Sequence, residues 1–159
     1  MATRTRRNGE FCWINILSPD TAKARDFFGA LLGWTYGEIP GMGHSILVGG
    51  SRVGGIFDVV NPADGQASPP GIGVMVKVES ADATVERVKV LDGRAKPAFD
   101  IGDQGRMAEC TDPTGAKFDL WQPMKSQGTD VDGTLHGASS WFELATNDTA
   151  RAATFYGEL

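Results

Sequence analysis

Two carboxylates on neighbouring predicted strands are the residues of this chain best placed to do chemistry. Glu109 and Asp119 fall within the predicted strands 106–110 and 117–122, at positions that alternation directs to the inward face. A carboxyl group in apolar surroundings has a raised pKa and can act as a general acid or base. Asp119 is therefore the first catalytic candidate and Glu109 the second.

The other side chains predicted on inward strand positions are mainly aromatic or sulfur-containing. They are Trp13, Asn15, Met75, Met107 and Trp121. This mixture suits a small, flat or hydrophobic organic ligand that stacks on the tryptophans and is oriented by the carboxylates. Two alternatives stay open: these side chains fill the interior and leave no cavity, or Asp119 only accepts a hydrogen bond from Asn15.

The elements that must position these residues begin to repeat near the end of the chain. Each of four residues returns 128 positions later: Trp13 as Trp141, Asp20 as Asp148, Phe27 as Phe155 and Gly29 as Gly157. Because these residues recur in one register without gaps, we interpret residues 138–159 as the first strand and partial helix of a second, truncated domain.

Within the first domain, the pattern predicts one strand, one helix and three strands, twice over. The predicted strands of the first unit (11–60) are 11–17, 35–38, 45–48 and 53–59, and those of the second (72–123) are 72–79, 96–99, 106–110 and 117–122. The first helix is predicted from the N-cap Asp20 to about Leu32, where Gly33 ends it. Its inward stripe is predicted to be Ala24, Phe27, Phe28, Leu31 and Leu32. The second helix is predicted over 81–91.

These elements predict an α+β fold. With each helix on one sheet face, the two βαβββ units are expected to form a cupped, half-open mixed β-barrel with helices outside. The predicted organisation is a disordered N-terminal arm (1–10), the complete domain (11–123), a linker (124–137) and the truncated domain (138–159). A further linker, 61–71, separates the two units.

Composition excludes several classes of function. The net charge of −5 argues against nucleic-acid binding, which needs a basic face, and the cluster Arg4, Arg6 and Arg7 is expected to be part of a solvated arm. The longest apolar runs are too short for a membrane helix, and the first residues do not have the apolar h-region expected of a secretory signal peptide. Cys12 and Cys110 are expected to be buried, reduced thiols, which indicates a cytoplasmic protein.

The motifs resemble the vicinal oxygen chelate superfamily of glyoxalases, bleomycin-resistance proteins and extradiol dioxygenases. The resemblance rests on the strand and helix through Phe27-Phe28-Gly29, on Gly33-Trp34, and on the segment from Asp112-Pro-Thr-Gly to Trp121. It spans nearly all of 11–123 and restarts near 138. Residues 97–107 are similar to a two-domain actinomycete subgroup whose members are called glyoxalase-like or hydroxylase. The resemblance implies paired βαβββ units.

The resemblance also implies four metal ligands, which this chain lacks. The matching positions hold Trp13, the stretch 55–57, Gly73 and Asp119, so that one carboxylate remains. His44 and His136 are expected at the surface rather than as ligands. We therefore expect no metal or other cofactor in this domain. In a second domain, where Trp141 and Glu143 match Trp13 and Asn15, a metal site stays an open alternative.

Two classes of function follow. The first is a metal-independent binding protein for a hydrophobic organic molecule. The second is an enzyme of the superfamily, namely a lyase, isomerase, hydroxylase-like enzyme or dioxygenase, which acts through Asp119 or Glu109 or through a metal in the missing domain. A stress-associated domain with an incidental ligand is a third possibility. The apolar segment 140–146, an unpaired predicted strand, indicates a homodimer.

Overall fold

The computed structural model describes residues 5–60, 65, 67–129, 131 and 133–159. Parts of the predicted arm (1–4, with Arg4) and of the predicted linkers (61–64, 66, 130 and 132) lie outside the described residues. The chain forms two compact units. The first contains Trp13–Gly73 and Thr129–Trp141, and the second contains Arg6–Cys12, Val74–Gly128 and Phe142–Leu159.

The first unit is a βαβββ arrangement. Its elements are β1 (Phe11–Ser18), α1 (Thr21–Leu32), β2 (Thr35–Ile39), β3 (Gly43–Val48) and β4 (Ser51–Asp58). The strands lie in the order β2-β3-β4-β1, in which β1 runs parallel to β4 and the other neighbours are antiparallel. Strand β1 begins in the residues assigned to the second unit and is paired with β4 from Asn15 onward.

Helix α1 begins and ends where the sequence predicts. The side chain of Asp20 accepts a hydrogen bond from the Lys23 backbone at 3.0 Å, and Gly33 ends the helix in the left-handed conformation, with φ of 69°. The predicted inward stripe is too wide, however. Phe28 stacks on the buried Trp34 at 5.2 Å, whereas Phe27 and Leu31 are 60% and 63% exposed. Consecutive residues of a helix are rotated by roughly 100°, so with Phe28 turned onto Trp34 the neighbouring Phe27 lies at the edge of the stripe.

The second unit repeats the βαβββ order with one additional short strand. Its elements are β5 (Gly71–Lys77, in this unit from Val74), α2 (Ala81–Val90), β6 (Arg94–Ala95), β7 (Phe99–Ile101), β8 (Gly105–Thr111) and β9 (Lys117–Pro123). The order is β5-β9-β8-β6, with β7 also paired to β8, and β5 runs parallel to β9. The predicted single strand 96–99 is wrong because Pro97, which has no N–H, separates β6 from β7.

Apolar side chains from α2 and from the sheet form the core of the second unit. Val85 and Val88 of α2 are buried and pack in one cluster with Phe118 and Leu120 of β9. Burial of apolar surface at about 25 cal/mol per Å² is the main source of stability for such a cluster. Helix α2 begins at Ser80, whose hydroxyl accepts from the Ala83 backbone at 3.3 Å.

The end of the chain also packs on the second unit. The segment 140–146 forms no strand in this structure, unlike the sequence expectation, but α3 (Thr149–Glu158) follows it. Asp148 caps α3 by accepting from the Arg151 backbone at 3.0 Å, with φ and ψ of −137° and 81°, beside −141° and 85° at Asp20. Phe155 of α3 is 2% exposed and belongs to the core of the second unit.

The α+β class and the paired βαβββ units are therefore confirmed. At the start of the chain, Gly9 and Glu10 exchange backbone hydrogen bonds with Lys77, so these two residues of the predicted arm are held in place. Cys12 and Cys110 are buried and unbridged, and burial raises the pKa of each thiol to about 12. Across the described residues, no helix has the length and apolar character to cross a bilayer.

Candidate functional site

The two predicted catalytic carboxylates lie side by side on the sheet of the second unit. The antiparallel pairing of β8 and β9 places Glu109 opposite Asp119, and the parallel pairing of β5 and β9 places Met75 on the other side of Asp119. Side chains directly opposite each other in a sheet lie on the same face and within contact range. Met75, Asp119 and Glu109 therefore form one row across three strands, as strand alternation predicts.

The two carboxylates have unlike surroundings. Burial and, next, repulsion by Glu109 raise the pKa of Asp119 to about 7, while Lys96 opposes the shift. Glu109 is half exposed and forms an ion pair with Lys96 at 2.7 Å. Near neutral pH, Asp119 thus spends part of its time as a protonated hydrogen-bond donor beside an ion-paired carboxylate. Titratable groups in such contrasting environments are suited to acid and base roles.

A second row on the same sheet face contains two more of the predicted binding residues. Trp121 lies opposite Met107 on one side and Lys77 on the other. Trp121 is 6% exposed, and its indole Nε1 donates to the Ser126 carbonyl at 3.0 Å. Met75 is equally covered, whereas Met107 is half-buried. Trp121 is therefore not open to a stacking ligand in this structure.

Trp13 and Asn15 belong to the first unit. The Trp13 Nε1 donates to the Asn15 Oδ1 at 2.9 Å, and both side chains are half-buried. Asn15 lies opposite Gly55, over which the Phe57 ring lies so closely that a Cβ at position 55 would clash with it. Trp13, Asn15 and Phe57 therefore make an aromatic and amide face on the sheet of this unit.

Two lysines near the carboxylate row were missed by the sequence analysis. Lys96 pairs with Glu109, and Lys77, although 6% exposed, carries an ammonium group that donates to Gln127 Oε1 at 2.9 Å. The sequence indicates the position of Lys77, because strand alternation places it on the same sheet face as Met75. Lys96 gave no such signal because the strand predicted around it is interrupted at Pro97.

Replacing Gly105 with alanine is expected to loosen this site. A Cβ at position 105 would lie 2.8 Å from the Gln122 carbonyl oxygen and closer still to the Trp121 ring, so the strand pair or the ring must shift. We expect a loss of about 1–3 kcal/mol in the free energy of unfolding, measured by urea denaturation. Gly71→Ala is the matched control, because a Cβ there meets nothing. Equal stability of the two variants would contradict this description of the Trp121 site.

The donor groups of the chain do not fit the metal site that the resemblance implies. Within the part of the chain that the structure describes, no three or more His, Cys, Asp or Glu side chains come together as a metal site would require. The neighbours that strand pairing gives Asp119 are Glu109 and Met75, of which one is a carboxylate, and the Trp13 indole N–H is a hydrogen-bond donor that cannot ligate a cation. His136 is exposed as predicted, but His44 is half-buried and its Nε2 lies 2.9 Å from Arg25 Nη1.

Comparison with known proteins agrees with this architecture. Two curated relatives match over 156 and 163 residues. The glyoxylase-named protein CFP32 of Mycobacterium tuberculosis is 36% identical and the anthracycline biosynthesis protein DnrV of Streptomyces peucetius is 30% identical, over 94% and 93% of this chain. The chain spans 59% of the length of each relative.

Solved structures show the same fold at low identity. The Mn(II)-bound glyoxalase of Novosphingobium aromaticivorans superposes with a TM-score of 0.65 at 14% identity, covering 96% of this chain and 53% of that one. Homoprotocatechuate 2,3-dioxygenase of Brevibacterium fuscum gives 0.62 at 13% identity, covering 93% and 49%. The family model that matches residues 11–120 describes the glyoxalase/bleomycin resistance protein/dioxygenase superfamily. The chain therefore belongs to this superfamily, as its paired βαβββ units and motifs indicate.

Proposed function

We propose that this protein binds a small hydrophobic organic molecule against the sheet of its second unit, without the usual metal of the superfamily in this domain. The observation that carries the proposal is the carboxyl group of Asp119, whose pKa is about 7, between Met75 and Glu109. A protonated carboxyl donates to a ligand oxygen, and the neighbouring ion-paired Glu109 accepts from a ligand hydroxyl. Met107 supplies adaptable apolar contact.

The chemical class of the ligand is suggested by the relatives. A protein of anthracycline biosynthesis is named for planar, polycyclic compounds that carry quinone oxygens and phenolic hydroxyls. Such a ligand presents an acceptor to Asp119 and a donor to Glu109 on one rigid edge. Its flat rings suit the sulfur and aromatic side chains beside the carboxylates. The chain spans 59% of the length of that relative. Any activity of the whole relative is therefore also a proposal for this chain.

The second candidate function is catalysis. The unlike surroundings of Asp119 and Glu109 favour it, because a neutral acid beside an ionised base can move a proton between two ligand oxygens or carbons. In such an isomerase, lyase or hydroxylase, both residues would contact the substrate. A dioxygenase would need a metal held by residues outside this domain.

A titration with 1,4-dihydroxyanthraquinone, a planar hydroxyquinone, tests the proposal. Binding is followed by isothermal titration calorimetry at pH 6.5, and the molecular mass of the recovered ligand is determined by mass spectrometry. We expect stoichiometric binding that weakens about tenfold in Glu109→Gln, the loss of one charge-assisted hydrogen bond. Glu38→Gln, which changes an exposed carboxylate of β2, is the matched control. An unchanged affinity in Glu109→Gln would overturn the proposed site.

The mass of the recovered ligand separates the two functions. An unchanged mass supports the binding protein. A changed mass, lost in Asp119→Asn but kept in Glu38→Gln, supports the enzyme.

Assembly and location complete the proposal. We infer a homodimer in the cytoplasm, with the segment 140–146 at the dimer contact. Trp141 and Leu144 in this segment are 76% and 40% exposed, and the thiols of Cys12 and Cys110 are unbridged. Sedimentation velocity at micromolar concentration is expected to show a dimer that Trp141→Ser weakens, and a monomer at this concentration would contradict it.

A further inference from the structure

One face of α1 carries large apolar side chains that are mostly exposed among the described residues. Phe27 and Leu31 are 60% and 63% exposed and lie one helical turn apart, with Ala24 and the exposed Lys23 on the preceding turn. We call Lys23, Ala24, Phe27 and Leu31 the α1 face. The side of the helix that carries Phe28 is the one that packs within the first unit.

The two apolar residues of α3 at the corresponding positions are buried. Ala152 and Phe155 are 3% and 2% exposed, and Phe155 packs edge to face on Phe118 with ring centroids 6.0 Å apart. Leu159 lies against the same core cluster, which includes Val88. At the rim, Arg151 of α3 lies 3.8 Å from Asp92. We call Val88, Asp92, Gly93 and Phe118 the α3 seat.

The α1 face and the buried face of α3 carry matching residues. The 128-residue offset relates Lys23 to Arg151, Ala24 to Ala152, Phe27 to Phe155 and Leu31 to Leu159. Both helices begin one residue after an aspartate cap of nearly the same φ and ψ. The first three of these pairs therefore share the same angular positions on both helices, and Leu159 follows directly after the last residue of α3. Size, apolar character and the sign of the charge are preserved at all four positions.

We propose that the α1 face is a docking surface for the α3 seat of a second copy of this chain. Phe27 would occupy the place of Phe155 against Phe118, and Lys23 would face the carboxylate of Asp92, whose side chain is 82% exposed. The contact forms only when α3 leaves its seat. Because α3 is tethered to the seat, it competes at an effective concentration of about millimolar. Helix α3 thus regulates this contact by covering the α3 seat of its own chain.

This interaction is independent of the proposed ligand and of the contact at 140–146. A short bismaleimide cross-linker between introduced cysteines detects it, since the native thiols are buried and their pKa of about 12 leaves them unreactive. The test pair is Lys23→Cys with Asp92→Cys, in the full chain. Lys23→Cys with Glu86→Cys, at an exposed position elsewhere on α2, reports chance collisions. Arg151→Cys with Asp92→Cys must link within one chain.

Ala152→Arg unseats α3, because a guanidinium replaces a methyl group that is 3% exposed. In this background we expect the Lys23–Asp92 pair to link two chains at least about fivefold faster than in the intact chain, and Phe27→Glu to abolish the gain. No gain in a variant that keeps its circular dichroism spectrum would overturn the proposal, as would a gain that Phe27→Glu leaves unchanged.

If Ala152→Arg fails to fold, the same cross-linking experiment on the chain with an unchanged Ala152 tests the proposal. At millimolar protein, transient opening of α3 should let the Lys23–Asp92 pair link between chains faster than the Lys23–Glu86 pair, and Phe27→Glu should remove the difference. Equal rates for the two pairs would overturn the proposal.

Discussion

Asp119→Asn is expected to remove the pH dependence of ligand affinity between pH 6 and 8.5. In the unchanged protein, the carboxyl group has a pKa of about 7 and donates to a ligand oxygen only when protonated. Affinity for 1,4-dihydroxyanthraquinone should therefore fall by roughly thirtyfold as pH rises from 6 to 8.5, because each pH unit above the pKa removes about nine tenths of the protonated form. The asparagine amide is neutral throughout and keeps a donor, so its affinity should stay level.

The same substitution is expected to change how stability depends on pH. The folded protein binds a proton on Asp119 between about pH 4 and 7, where the unfolded chain has released it. Stability therefore declines as pH rises through this range, and the penalty is complete above pH 7. Asp119→Asn should raise the free energy of unfolding at pH 8 by about 2 kcal/mol, less than the full pKa shift implies because the side chain is partly exposed.

Urea denaturation at pH 5 and pH 8, compared with Glu38→Gln, tests the second effect. The account fails if Asp119→Asn and Glu38→Gln behave alike at both pH values, or if affinity in the unchanged protein is flat from pH 6 to 8.5. Loss of affinity in Asp119→Asn at every pH would show that the carboxyl group is needed for more than its proton.

Asp112→Ala is expected to be the most destabilising single change in the second unit. Asp112 is 1% exposed, and its Oδ1 accepts from the Thr114 backbone and hydroxyl at 2.8 and 2.9 Å and from the Ala116 backbone at 2.9 Å. Its Oδ2 accepts from the Tyr156 hydroxyl at 3.1 Å. Removing the carboxylate leaves these donors without an acceptor, so we expect a loss of about 3–5 kcal/mol in the free energy of unfolding.

Two milder variants separate the parts of this network. Asp112→Asn keeps one carbonyl oxygen for the turn and should lose less than Asp112→Ala. Tyr156→Phe removes only the bond from α3 and should cost about 1 kcal/mol. If Asp112→Ala were no less stable than Tyr156→Phe in thermal denaturation, the turn would not depend on this carboxylate.

Acidification should weaken the same turn. Burial by itself would raise the pKa of Asp112, but hydrogen bonds from Ala116, Thr114 and Tyr156 together lower it below its usual range. A carboxylate with a lowered pKa contributes stability above the pKa of the unfolded chain and loses it as pH falls through the folded value. The acid limb of the stability curve, below about pH 4, should therefore be flatter in Asp112→Asn.

Local sequence patterns were sufficient to predict the helices, most of the strands and the carboxylate row. Asp20, Gly33 and Ser80 act through short-range hydrogen bonds and backbone conformation, so their positions mark helix ends directly. Glu109 and Asp119 were correctly placed on one face because strand alternation has a period of two and a tight turn joins β8 to β9. The proline that splits β6 from β7 carried a signal that the sequence analysis passed over.

Other features depend on contacts between distant parts of the chain. The burial of Trp121 results from the Ser126 carbonyl and from Gly105, neither of which shows in the alternation of β9. The exposure of Phe27 and the burial of Phe155 differ although the two residues occupy the same position in the repeat. Only the surroundings distinguish them, because α3 lies against Val88 and Phe118 of the second unit. The pKa of Asp119 likewise depends on burial that no local pattern measures.

Native mass spectrometry of the purified full chain tests the central claim, a site that binds an organic molecule through Asp119 and Glu109 without a metal in this domain. The chain should be measured as purified, after incubation with Mn²⁺, Fe²⁺ or Zn²⁺, and with 1,4-dihydroxyanthraquinone. We expect the mass of the polypeptide with one organic ligand per chain and no stoichiometric metal. One divalent ion per chain that a chelator removes, and that Asp119→Asn no longer retains, would contradict the account.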